Sequence, residues 1–242
     1  INLVGVQVSL LAFFKTIMKK FLAALGAFTL LPAIVFANEE KITKGFYTMD
    51  AMGCMLLREC TKDVDEVYSL LDVSSKYSHP EKFTGAAAEF NQLLAILNQV
   101  GVKVFIADER YFLVGHRGVY HTVGNNFFLN KSFMHRPNVL MSVMRHEGWH
   151  VAQDCMGGTI KNNIIAVIKN KEDVPTFWRE MAERAYPPHV LPWEAEATWA
   201  GKTEGMTLDA LKACATGEMW KVYPPTPLTR QYLIDEGYIK ED

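Results

Sequence analysis

His146-Glu147-Gly148-Trp149-His150 reads H-E-x-x-H, and the way this stretch folds decides how the rest must be arranged around it. On a helix, residues four apart lie one above the other on one face. Both imidazoles can then reach a single ion. Glu147 stands about 100° round the helix from His146, near such an ion without having to bind it. With 7 histidines in 242 residues, about one such sequence in seventy carries this pattern by chance, so its neighbours must support it.

The neighbours do support a helix. Pro137-Asn138 gives a start signal and Gly157-Gly158 a stop. Between them, Val139, Val143, His146 and His150 follow one helical face, apolar at first and then histidine-bearing. Buried imidazoles need partners, and one metal ion serves both. Catalytic zinc keeps three protein ligands and an open position, whereas structural zinc takes four. The third ligand is sought in 191–200, where Pro192 suits a first helical turn. Glu194 and Glu196 lie about 200° apart on a helix, so only one can face the ion.

These segments together resemble the gluzincin group of zincin metallopeptidases, over residues 126–200. That group carries H-E-x-x-H on one helix and a zinc-binding Glu on a later one, often as E-x-x-x-D. The resemblance places Glu194 at the ligand position beside His146 and His150, with Glu196 as the alternate third ligand. Thr198 stands where the group has Asp. The resemblance further implies Zn2+ as cofactor, a peptide or protein substrate, and hydrolysis by a zinc-activated water with Glu147 as general base. The second expectation is a non-catalytic zinc-binding or scaffold protein of the same fold. Asp154, four residues past His150, is in reach to orient that ring. His189, Tyr186 and Tyr223 are available to stabilise a developing negative oxygen, and spacing does not choose among them. His79, His116, His121 and His135 show no ligand spacing and are assigned no role.

Upstream, Met18-Lys19-Lys20 reads as a positive n-region, residues 21–36 are almost wholly apolar, and Ala37 precedes polar Asn38-Glu39-Glu40. The expected organisation is an upstream extension over 1–17, a signal peptide over 18–37 and a single zincin-like metallopeptidase domain over 38–242. The apolar run is broken by Pro32 and falls short of the roughly 20 residues a spanning helix needs. No stable membrane span is therefore expected after signal cleavage, and the expected location is periplasmic or secreted. An even count of cysteines in an exported chain predicts two disulfides. Of the three pairings of Cys54, Cys60, Cys155 and Cys214, the favoured one joins Cys54 to Cys60 in a local loop. It also joins Cys155 to Cys214, tying the histidine helix to a C-terminal helix. The net charge is −2, and the leader carries Lys15, Lys19 and Lys20, so the remainder is more acidic still. With no basic run, nucleic acid is not an expected partner.

The predicted fold class is α+β, with a small sheet packed beside the active-site helix and a mainly helical C-terminal half. The pattern predicts helix or helix-loop-helix over 45–75, helix over 83–100, and strands at 102–106, 111–114, 119–123 and 126–129. Beyond the histidine helix, helices are predicted near 160–169, 175–185, 192–202 and 208–220, with a short one after Pro227. Asn126-Phe127-Phe128-Leu129-Asn130 is the candidate edge strand for an extended peptide.

Overall fold

The computed structural model describes residues 49–240; the expected extension, the signal peptide and its cleavage point lie outside the described residues. The fold is α+β. Four short strands form one mixed sheet: β1 (Val64–Glu66), β2 (Lys103–Ala107), β3 (Gly118–His121) and β4 (Asn126–Asn130). Their order across the sheet is β1-β2-β4-β3. β1 runs antiparallel to β2, β2 parallel to β4, and β3 antiparallel to β4.

Side chains alternate across the sheet with the two-residue period of a strand. Val104, Ile106, Phe127 and Leu129 enter the main core, while Phe105, Ala107, Val119 and Phe128 enter a second cluster. The second cluster is closed by Met52 and Met55 of helix α1 (Met49–Leu56), which the Cys54–Cys60 disulfide anchors at its end. The short helix α2 (Leu70–Ser74) follows β1, and a 3-10 turn over Pro80–Ala86 leads into helix α3 (Ala87–Gln99).

Helix α4 (Pro137–Met156) carries the H-E-x-x-H stretch and is buried on nearly every side. Beyond it come α5 (Thr176–Ala185), α6 (Leu191–Ala200), α7 (Met206–Ala215), α8 (Met219–Val222) and α9 (Pro227–Asp235). Glycines let these elements close on α4. A Cβ on Gly118 of β3 would lie 2.6 Å from Val143 Cγ1 and 3.2 Å from Glu147 Oε1. A Cβ on Gly148 would meet Thr207 Cγ2 of α7 at 2.9 Å. The Cys155–Cys214 disulfide ties the end of α4 to α7, so both bridges match the favoured pairing. Two disulfides fit an oxidising compartment. Among the described residues, no helix is long and apolar enough to cross a membrane.

Several local expectations are corrected. Val64–Glu66 is a strand rather than part of a helix, since its backbone completes the free edge of β2. Residues 111–114 form no strand. Tyr111 ends a 3-10 turn opened by Asp108, whose side chain accepts from the Arg110 amide, and the Tyr111 hydroxyl donates to the Lys62 carbonyl. Residues 160–169 form no helix because tertiary partners claim their backbone. Trp193 Nε1 donates to the Ile165 carbonyl, Thr229 Oγ1 donates to the Val167 carbonyl, and Glu196 accepts from the amides of Ile168 and Lys169. The expected helix over 208–220 is split into α7 and α8 at Gly217, which has φ +71°. The peptide-pairing strand is also reassigned. β4 is hydrogen-bonded on both sides, by β2 and β3, so it has no free edge; β3 is the outer strand beside α4.

Candidate metal centre

His146 and His150 project from one face of α4, one turn apart, with ring centroids 5.0 Å apart. Glu194 meets them from α6. Its Oε2 lies 3.3 Å from His146 Nε2 and its Oε1 3.7 Å from His150 Nε2. One ligand atom from each of the three residues lies within 4.8 Å of the others, and this is the one such cluster among the described residues. Each of the four atoms, His146 Nε2, His150 Nε2, Glu194 Oε1 and Glu194 Oε2, is buried with no hydrogen-bond partner among the described residues.

The network behind His150 fixes which way its ring lone pair points. Gln153 Nε2 donates to the Trp193 carbonyl at 3.1 Å and to Glu196 Oε2 at 2.8 Å. The amide nitrogen is thereby placed, so Gln153 Oε1 is the atom 2.7 Å from His150 Nδ1. Oε1 can only accept, so Nδ1 carries the proton and Nε2 presents its lone pair to Glu194. A backbone hydrogen bond to Ala197 supports His146. Burial pushes both imidazoles down to about 4, so both are neutral, the form that binds metal. The lone pairs of His150, His146 and Glu194 therefore converge with no hydrogen donor between them. Buried acceptors facing one another repel, and a cation among them reverses the sign. The group can hold a metal ion.

The other acid of α6 is occupied. Glu196 accepts from Trp149 Nε1 at 3.1 Å, from Gln153 Nε2, and from the amides of Ile168 and Lys169 at 3.0 and 2.6 Å. It is absent from the His146–His150–Glu194 cluster. The alternate third ligand is thus excluded by its own bonds, and Glu194 faces the histidines. Burial lifts Glu194 to about 7, opposed by His150 and by the nearby Tyr186 hydroxyl, which stops short of hydrogen-bond geometry.

Glu147 sits beside this group without joining it. Its Oε2 accepts from the Tyr120 amide of β3 at 3.0 Å. Burial, and then the charge of Glu194, push its carboxyl well above the ordinary range, while the Tyr120 amide pulls the other way. β3 therefore holds Glu147 next to the histidine pair, and Gly118 leaves the space for it.

Other expected roles are redistributed. Asp154 does not orient His150; its Oδ2 lies 2.7 Å from the Tyr120 hydroxyl. Gln153 takes the orienting role, and the only sequence signal for it was its i+3 spacing from His150. Tyr186 is buried beside Glu194 and Glu147. His189 is exposed, and Tyr223 lies under Lys169 Nζ, 4.9 Å from the ring centroid; neither is placed at the centre. His79 pairs with Glu81 on the surface, and His116, His121 and His135 stay outside the cluster. Tyr120 and Gly118 were missed because nothing in a strand pattern shows which helix residue will press against it. Set against known proteins, this chain matches no family model, no curated protein and no solved structure, so its chemistry is argued from the centre itself.

Proposed function

We propose that this protein is an exported zinc-dependent peptidase of the gluzincin type. The observation that carries the reading is the set of four buried, unpartnered acceptor atoms of His146, His150 and Glu194. Two imidazole nitrogens and one carboxylate are a donor set suited to Zn2+ in a three-ligand centre. When bound, the ion would polarise a scissile carbonyl and make water acidic enough to attack at neutral pH. His146, His150 and Glu194 would hold it. Glu147 accepts a proton from water and passes it to the leaving amine, and the Tyr120 amide fixes Oε2 so that Oε1 is the oxygen left to act. Tyr186, next to Glu147 and Glu194, is the choice among the three expected donors for a negative oxygen. The two disulfides and the sequence of residues 18–37 support export to a periplasmic or extracellular space.

A second reading, a zinc site that holds the fold and does no chemistry, is favoured by one observation: Glu147 and Glu194 are almost wholly enclosed, at 1% and 0% exposure. Glu147→Gln separates the two. In the enzyme, zinc content and thermal unfolding stay at wild-type values while kcat/KM against a peptide mixture falls by about 10²–10⁴-fold. Wild-type protein with one zinc per chain and no cleavage of any peptide or protein tested would leave the scaffold reading. Protein without zinc after metal-replete preparation would remove both.

A further inference from the structure

Glu147 and Asp154 are both on α4. They stand two helical turns apart, so they share a face and lie about 10.5 Å from each other along the axis. Tyr120 of β3 reaches both. Its amide donates to Glu147 Oε2 at 3.0 Å, and its hydroxyl donates to Asp154 Oδ2 at 2.7 Å. Strand alternation puts the Tyr120 side chain in the main core with α4, while Val119 enters the other cluster. One residue of β3 is therefore tied to the helix at its backbone and at its tip.

A second oxygen lies near the same hydroxyl, Asn125 Oδ1 at 3.0 Å. Asn125 belongs to the turn between β3 and β4 and travels with the strand, so a bond to it cannot locate β3 on α4. The bond to Asp154 crosses from strand to helix. It is the shorter of the two, and an acid is the stronger acceptor for the single hydroxyl hydrogen. Asp154 has no other partner to explain it. It is wholly enclosed, at 0% exposure, and its Oδ1 meets no hydrogen-bond partner among the described residues. Burial lifts its carboxyl to about 7, and an enclosed acid costs stability.

Resting on the peptidase reading above, we propose that Asp154 is a positioning residue for the general base: through the Tyr120 hydroxyl it sets how β3 sits on α4, and so where the Tyr120 amide holds Glu147. Proton transfer needs the base within hydrogen-bond reach of the water, and a displacement of about 1 Å can cost about 10²-fold. The Asp154 bond goes to Tyr120, while Gln153 supports His150. Losing Asp154 therefore reaches turnover and spares the metal.

The test compares the zinc-loaded full chain with Asp154→Ala, Asp154→Asn and Tyr120→Phe. In Asp154→Ala the hydroxyl can turn to Asn125, so no donor is stranded. Its kcat on a peptide should fall by about 10–100-fold, with KM and zinc affinity within about twofold of wild type. Tyr120→Phe should lose as much, and it carries the same readings should Asp154→Ala not fold. Asp154→Asn keeps an acceptor oxygen in place and should recover kcat to within about threefold. In the Glu147→Gln background Asp154→Ala should cost nothing further, because the group it positions is already gone; an acid that only holds the fold would cost the same in both backgrounds. Unchanged kcat, a matching loss of zinc, no recovery in Asp154→Asn, or an equal loss in the Glu147→Gln background overturns the proposal. Hydrogen exchange at the Tyr120 amide, followed by NMR, needs no cleavage. It should quicken about tenfold or more in Asp154→Ala and Tyr120→Phe and keep the wild-type rate in Asp154→Asn. Quickened exchange with no cleavage by wild type sustains the positioning of Glu147 and removes the peptidase. Unchanged exchange removes the positioning role whatever wild type cleaves.

Discussion

Glu194 and Glu196 lie two residues apart on the same ten-residue helix, both buried to within 1%, and their surroundings could hardly differ more. Glu196 points toward 165–169 and is met by Trp149, Gln153 and two backbone amides. Burial raises its carboxyl to about 7 and each of those donors pulls it back. Glu194 points toward α4 and finds two neutral imidazoles whose lone pairs face its own. One acid is satisfied by the protein; the other is satisfied only when something positive arrives. Burial by itself marks neither as a ligand. The supply of donors around each separates them: Glu196 is held by the protein's own donors, and Glu194 is left facing the histidines in a group that could hold a metal ion.

The largest test of that contrast is Glu194→Gln. Zinc affinity should fall by more than the roughly 10–100-fold typical of losing a group that merely supports a ligand, read by competition with a chelating dye. Metal-free stability should move the other way. Glu194 binds its proton at about 7 in the folded chain against an ordinary 4.5. Its stabilising contribution is therefore complete below about 4.5 and is lost as pH rises through 7. Denaturant unfolding of the metal-free proteins should show wild type losing ground to Glu194→Gln across that interval. Equal zinc affinity in the two proteins would break the comparison.

Next in size is Glu196→Ala. It strands the Trp149 indole and the Ile168 and Lys169 amides, each a buried donor worth about 1–3 kcal/mol when left unmet. Stability should drop by about 3 kcal/mol or more with or without zinc, measured by chemical denaturation. A loss seen only in the zinc-loaded protein would instead make Glu196 part of the metal site.

Gln153→Met gives the smallest effect. It removes the acceptor that fixes the His150 tautomer and should weaken zinc binding by about 10–100-fold while the metal-free chain keeps its helix content by circular dichroism. An unchanged zinc affinity would show that the ring needs no such guide.

How much of this was legible beforehand follows from the range of each interaction. The histidine helix, its bounds and the shared face of His146 and His150 come from local rules: a Pro start, a Gly stop and a 3.6-residue period. The cysteine pairing was read from count and context and is observed. The failures are long-range. Residues 160–169 look helical in isolation, yet Glu196, Trp193 and Thr229 hold their backbone open. The edge strand was misplaced because chain order does not reveal that β4 slots between β2 and β3.

The sequence by itself determined that two imidazoles and Glu147 share a helix, and that one of two acids on a later helix could meet them, because helix geometry is set by residue spacing alone. Only the tertiary structure decided which acid that is, that β3 rather than β4 lies against Glu147, and that Gln153 rather than Asp154 steadies His150. Each of those choices depends on where donors from distant segments come to rest, and a donor forty residues away leaves no trace in local periodicity.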